Sequence, residues 1–254
     1  MLGRKNGLGK KLADLVGRPL VEQHCLAHRL HLAIRRAFDK TPELKFMFHL
    51  ESLLNKLYSF FYNKGHKRKA YVKAIAEEYA SLNLNYIFET RWIASEKSAI
   101  VAVIKNYESM IRGLGDMSES EEFDSKTISA VKGLKKKLSM KNFFILLHFL
   151  GDLLKVLEHY SLQFQKRHGI LMDQVENYEG LRKSLRVAAA TNGEFLQDLL
   201  ENSWYGNDKC SSHLVTYKGI QLKNDGRGRR ASVYPLLSQI RFTMVSALLK
   251  EVIW

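Results

Sequence analysis

From Leu26 onward the apolar side chains return every three or four positions, and proline interrupts the chain only at Pro19, Pro42 and Pro235. Proline removes an amide donor and clashes with the preceding turn, so a chain this poor in it and this regular in period folds chiefly as helix. Leu26, Leu30, Ala33, Ile34 and Ala37 share one helical face, and Leu50, Leu53, Leu54, Leu57, Phe60 and Phe61 share another. A short helix over residues 8–16 stops at Gly17 and Pro19. Pro42 suits a first helical turn with Thr41 as its cap. Further helices are predicted over 44–63, onward to about Tyr79, over 94–114, 126–138, 141–166 and 172–189, and from about Tyr234. Thr191 with Glu194 reads as a capping box for a helix through residue 200. LVEQHC (20–25) is the strand candidate of the first half. HLVTYKGIQL (213–222) alternates and reads as a small hairpin or an extended excursion. GDMSESEEFDS (115–125) reads as an exposed acidic loop, and KNDGRGRRAS (223–232) as a flexible basic one.

Charge narrows the partners. The chain carries 40 Lys and Arg against 26 Asp and Glu, a net +14, which favours nucleic acid, anionic membrane or acidic partners. The most apolar run, FFILLHFLGDLL (143–154), is broken by His148 and Asp152 and is too short to span a bilayer. Two cysteines, Cys25 and Cys210, are too few for a secreted disulfide framework, and the basic N-terminal residues lack the apolar stretch of a signal peptide. An intracellular protein without membrane association is expected.

HCLAHRLHLA (24–33) gathers three histidines and a cysteine. A structural zinc site needs four ligands, usually as two clusters at fixed separation, and Cys25, His28 and His31 form one cluster. Cys210 with His213 offers a distant second pair at a separation that fits no finger. A cysteine nucleophile would need a base and an orienting group; Cys25 with His28 one turn on supplies only a start. Simple packing accounts for the stretch as chemistry: Cys25 ends a buried strand, and His28 lies beneath the sheet with its ring hydrogen-bonded. No metal and no cofactor are expected.

As a signature, H-C-x-x-H-R-L-x-L-A resembles the hAT family of DNA transposases, in which it follows a strand of an RNase H-like core. MLGRKNGLGKKL is similar to the segment that follows the second catalytic aspartate there. ETRWIA (89–94) resembles the family's Thr-Arg-Trp motif within its helical insertion, and FLGDLLKVLEHYSLQFQK (149–166) is similar to insertion helices of the zinc finger protein 862-like group. The resemblance implies a mainly α chain: residues 1–40 a partial RNase H-like α/β remnant with the Cys25–His28 pair, and 41–254 a helical insertion domain. It implies that Trp92, beside Arg91, stacks on DNA bases; anchoring a helix is the plainer role for Trp92. It also places the family's metal-binding carboxylates before Met1 and after Trp254, and no acidic residue here matches them. A catalytically inactive internal slice of a transposase-derived protein is expected, with no enzyme activity.

The basic clusters then carry the functional expectation: Lys64, Lys67, Arg68, Lys69 and Lys73; Lys132, Lys135, Lys136, Lys137 and Lys141; and Arg227, Arg229 and Arg230. Such groups contact phosphates without reading sequence. Each cluster taken alone also fits a solvated helix face. KGHKRK and KGLKKK have the form of nuclear import signals. The expectation is a nuclear protein that binds DNA non-specifically. The alternatives are a helical protein-interaction module with its own protein partner, or a fragment without function.

Overall fold

The structure is a computed structural model that describes residues 7–18, 25–62, 87, 92–166, 171–206, 213–223 and 233–251. Its helices are α1 (Leu8–Val16), α2 (Leu26–Lys40), α3 (Phe46–Tyr62), α4 (Trp92–Lys105), α5 (Tyr107–Glu119), α6 (Ser125–Leu138), α7 (Lys141–Gln163), α8 (Leu171–Ala190), α9 (Glu194–Glu201) and α10 (Val233–Glu251). A short 3-10 turn, Pro42–Leu44, leads into α3. The mainly helical class expected from the sequence period is the class observed.

α7 is the central element because it is apolar nearly all round: every residue from Phe144 to Gly151 is buried. α2, α4, α8, α9 and α10 pack against it. α4 lays Ile93, Ala99, Ile100 and Val103 into the core, and Lys97 pairs with Glu158 of α7 at the edge of that contact. α9 crosses α7 at Gly151, where an added Cβ would lie 2.8 Å from the Phe195 ring. α10 returns along α2 and α8, burying Met244, Val245 and Leu248, and Lys40 reaches Glu251 at 2.7 Å. The buried face of α2 is Leu30, Ala33, Ile34 and Ala37, with Leu26 half-buried, and that of α3 runs from Leu50 to Phe61 as its spacing predicts.

The sheet is a small antiparallel one, β1 (Ser203–Gly206), β2 (His213–Tyr217) and β3 (Ile220–Gln221), in sequence order. Lys218 and Gly219 both take positive φ, 46° and 77°, giving the tight two-residue turn between β2 and β3. Tyr217 then inserts beside Tyr107, Phe144 and His148 and donates to Asp198 Oδ2 at 2.6 Å. The expected hairpin is present, with β1 as an additional strand. No RNase H-like sheet occurs among the described residues: those of 1–40 contribute α1 and α2. The strand expected at 20–25 lies, except for Cys25, outside them, as do the helix expected towards Tyr79 and the basic loop beyond Lys223.

Four local expectations are corrected. The acidic loop is only residues 120–124, because α5 runs through Glu119. Met110, Leu114 and Met117 keep the helical period, and the buried Gly115 faces Lys135 of α6. The single helix expected over 94–114 breaks at Asn106, whose side-chain amide donates to Ala102 O at 2.7 Å in competition with the backbone. Thr41 supplies no side-chain cap, and Pro42 opens the 3-10 turn rather than α3. Thr191 and Glu194 form no capping box, since Thr191 Oγ1 donates back to Val187 O. α9 is capped instead by Asp152 of α7, which accepts from Phe195 N and Leu196 N at 3.0 Å.

Candidate nucleic-acid interface

α6 carries SKTISAVKGLKKKL, a helix with no acidic residue of its own. Asp124 caps it, accepting from Thr127 N at 2.9 Å, and Val131, Leu134 and Leu138 face the core. That periodicity turns Lys126, Lys132, Lys136 and Lys137 outward to solvent. None of the four forms an ion pair with a described residue. Lys135 differs: it is half-buried, and its ammonium lies 2.8 Å from where a Cβ on Gly115 would be. Its stem therefore packs on α5 while the others remain open. Lys135, Lys136 and Lys137 also occupy the last turn, where cations complement the exposed carbonyls of a helix end. Lys141, grouped with them in sequence, is buried.

Two more parts of the surface converge there. Lys223 N donates to Ser139 O at 2.7 Å and Lys223 O accepts from Lys141 N at 2.9 Å, so the described chain enters the basic segment 223–232 beside the lysine-rich end of α6. An open groove of about 630 Å³ also adjoins it, walled by Leu50, Leu53, Phe143 and Leu146 and bordered by His49, Lys56 and Lys137. The groove joins α3 to the α6–α7 corner, elements far apart in the chain, and sequence reading missed it. Its trace in the sequence is the stripe His49, Ser52, Lys56 beside the buried stripe of α3.

The remaining site residues divide into those the structure places and those outside it. Cys25 and His28 are not buried as expected. Cys25 is exposed at the start of α2, and His28 is exposed on its first turn with its ring edge-on to His31 at 6.1 Å, because the core face of α2 begins at Ala27 and Leu30. Trp92 opens α4, and its side chain lies outside the described part. Arg91, Lys67, Arg68, Lys69, Arg227, Arg229 and Arg230 also lie outside it. Among the described residues no three His, Cys, Asp or Glu side chains gather closely enough to hold a metal. No helix there is long and apolar enough to cross a membrane.

Two buried ionisable groups lie away from this surface. Glu96 of α4 is fully buried, and neither carboxylate oxygen is hydrogen-bonded among the described residues. Burial, reinforced by the Glu51 charge, holds its carboxyl well above the usual range, with Arg35 pulling less strongly the other way. His148 donates through Nδ1 to Phe144 O at 2.9 Å, and burial lowers its pKa to about 4.

No family model matches the chain, and no solved structure matches it.

Proposed function

We infer that this is a nuclear, hAT transposase-derived protein, catalytically inactive, that holds nucleic acid non-specifically through phosphate contacts. The division into an RNase H-like remnant (1–40) and a helical insertion (41–254) belongs to this reading and rests on the Cys25–His28 and Arg91–Trp92 motifs. The observation that carries the binding is the outward face of α6. Four exposed lysines without ion pairs to described residues line one helix, and a second basic segment, containing Arg227, Arg229 and Arg230, begins beside its end. Such an array of ammonium groups on α6 recognises a repeating anion, since a lysine acts as a point charge and offers no planar donor fork to a base edge.

The test is duplex and hairpin DNA binding by the purified chain across a salt series. Replacing Lys132, Lys136 and Lys137 together by Gln is expected to weaken binding on all duplex sequences alike. It should also lower the slope of log K against log salt by about 3, one for each phosphate that the variant no longer neutralises. The Arg227/Arg229/Arg230→Ala variant measures the second segment in the same way, and Trp92→Ala is expected to lose affinity for hairpin ends selectively. Binding absent at low salt, or unchanged by both basic variants, would sink the reading. A second reading, a helical protein-interaction module, has one observation in its favour. α1 buries none of its residues and presents Leu8, Leu12, Leu15 and Val16 to solvent.

A further inference from the structure

The groove between α3, the start of α7 and α10 has a chemistry that phosphate contacts do not use. Its walls are hydrocarbon and aromatic, contributed by Leu50, Leu53, Phe143 and Leu146, while the charged groups at its border are all of one sign. Lys56 and Lys137 reach it from different helices, and no carboxylate lies among the described residues that line it. At about 630 Å³ it falls within the range of sites that enclose one small molecule. A nucleic-acid backbone would leave the apolar wall without a partner, and an uncharged lipid would leave the two ammonium groups without one.

We propose that this groove binds a long-chain carboxylate, with its tail on Leu50, Leu53, Phe143 and Leu146 and its head group between Lys56 and Lys137. Charge complementarity fixes the sign of the ligand, and the apolar wall fixes its tail. Specificity then follows from both ends. Each methylene withdrawn from the groove weakens binding by about fourfold, the equivalent of burying one CH₂. The head group contributes less, because both ammoniums keep part of their contact with water.

The probe is cis-parinaric acid, a fluorescent long-chain carboxylate, titrated below its micelle concentration into the full chain without DNA, so that failure here is independent of the nucleic-acid reading. Saturable one-to-one binding is expected. Palmitate should displace the probe, hexadecanol about fivefold less readily, and hexadecyltrimethylammonium less readily still. Lys56→Gln with Lys137→Gln is expected to weaken binding about fivefold. Ser52→Trp, which puts an indole into the groove from an exposed position of α3, is expected to abolish it. Should Ser52→Trp perturb the fold, palmitate carrying a diazirine replaces it: cross-links are expected on residues 44–56 and 137–146. Displacement by the alcohol as readily as by the acid, an unaltered affinity in the lysine variant, or cross-links elsewhere would overturn the proposal. So would an acidic amphipathic peptide that binds with the expected variant sensitivity where palmitate does not.

Discussion

Lowering the pH should destabilise the fold through His148. The imidazole lies wholly inside the core, between Phe144 and Tyr217, with Nδ1 occupied by the Phe144 carbonyl and Nε2 unbonded among the described residues. Asp198 favours the cation from a distance and Lys218 opposes it, and neither overcomes burial. The folded state therefore takes up the proton at about 4, whereas an unfolded histidine takes it up near 6.5. Because the unfolded chain binds more protons between these values, stability is intact above about pH 6.5, falls as the pH drops and levels off below about 4. At about 1.4 kcal/mol per decade of proton activity the full loss is about 3 kcal/mol, of which about 2 kcal/mol has gone by pH 5. Urea unfolding at pH 7 and pH 5 of the wild type and of His148→Met measures this. Packing lost in the variant affects both pH values equally, so the difference of differences isolates the proton. An equal pH dependence in the two proteins, or an NMR titration of His148 near 6.5, would refute the reasoning.

Glu96 is expected to act with the opposite sign. Its raised pKa means the folded state holds a proton the unfolded chain releases, so stability falls as pH rises above the ordinary carboxyl range, and Glu96→Gln should remove that fall in the same urea series. Asp152→Ala should cost about 1–2 kcal/mol, seen as a lowered Tm, by leaving two amides at the start of α9 without their acceptor. Gly193→Ala would place a Cβ 2.3 Å from the Asp152 carboxyl carbon and is expected to destabilise by about 1–3 kcal/mol; a cycle with Asp152→Ala that shows simple additivity would refute the clash. Gly115→Ala meets only the flexible end of Lys135. It should raise Tm, since alanine favours the helix by up to about 1 kcal/mol.

What the sequence revealed depended on how local the cause was. The faces of α2 and α3 were legible because burial on a helix follows the spacing of its own residues, and the hairpin of β2 and β3 because the alternation of HLVTYKGIQL lies within ten residues. α5 was truncated by composition: serines, acids and a scarcity of apolar residues outweighed Met110, Leu114 and Met117, whose spacing alone carries the helix to Glu119. The cap of α9 was out of reach in principle, since its acceptor comes from α7 and no pattern near Thr191 refers to Asp152. Among the site residues, the lysines of α6 were legible as a cluster, yet only the packing against Gly115 separates Lys135 from Lys136 and Lys137. The groove needed four helices, α3, α6, α7 and α10, brought together before it existed at all.

That α10 covers α2 has a consequence for the order of events during synthesis. Leu30, Ile34 and Phe38 are made long before one of their covers, with Met244, Val245 and Leu248, and Lys40 waits 211 residues for Glu251. Until α10 emerges, the apolar face of α2 lacks that cover, although α7 and the 3-10 turn also pack on α2. Folding therefore cannot finish domain-first from the N-terminus as the ribosome advances. Between the synthesis of α2 and that of α10 the nascent chain carries an unsealed core, the interval in which a chaperone has something to bind.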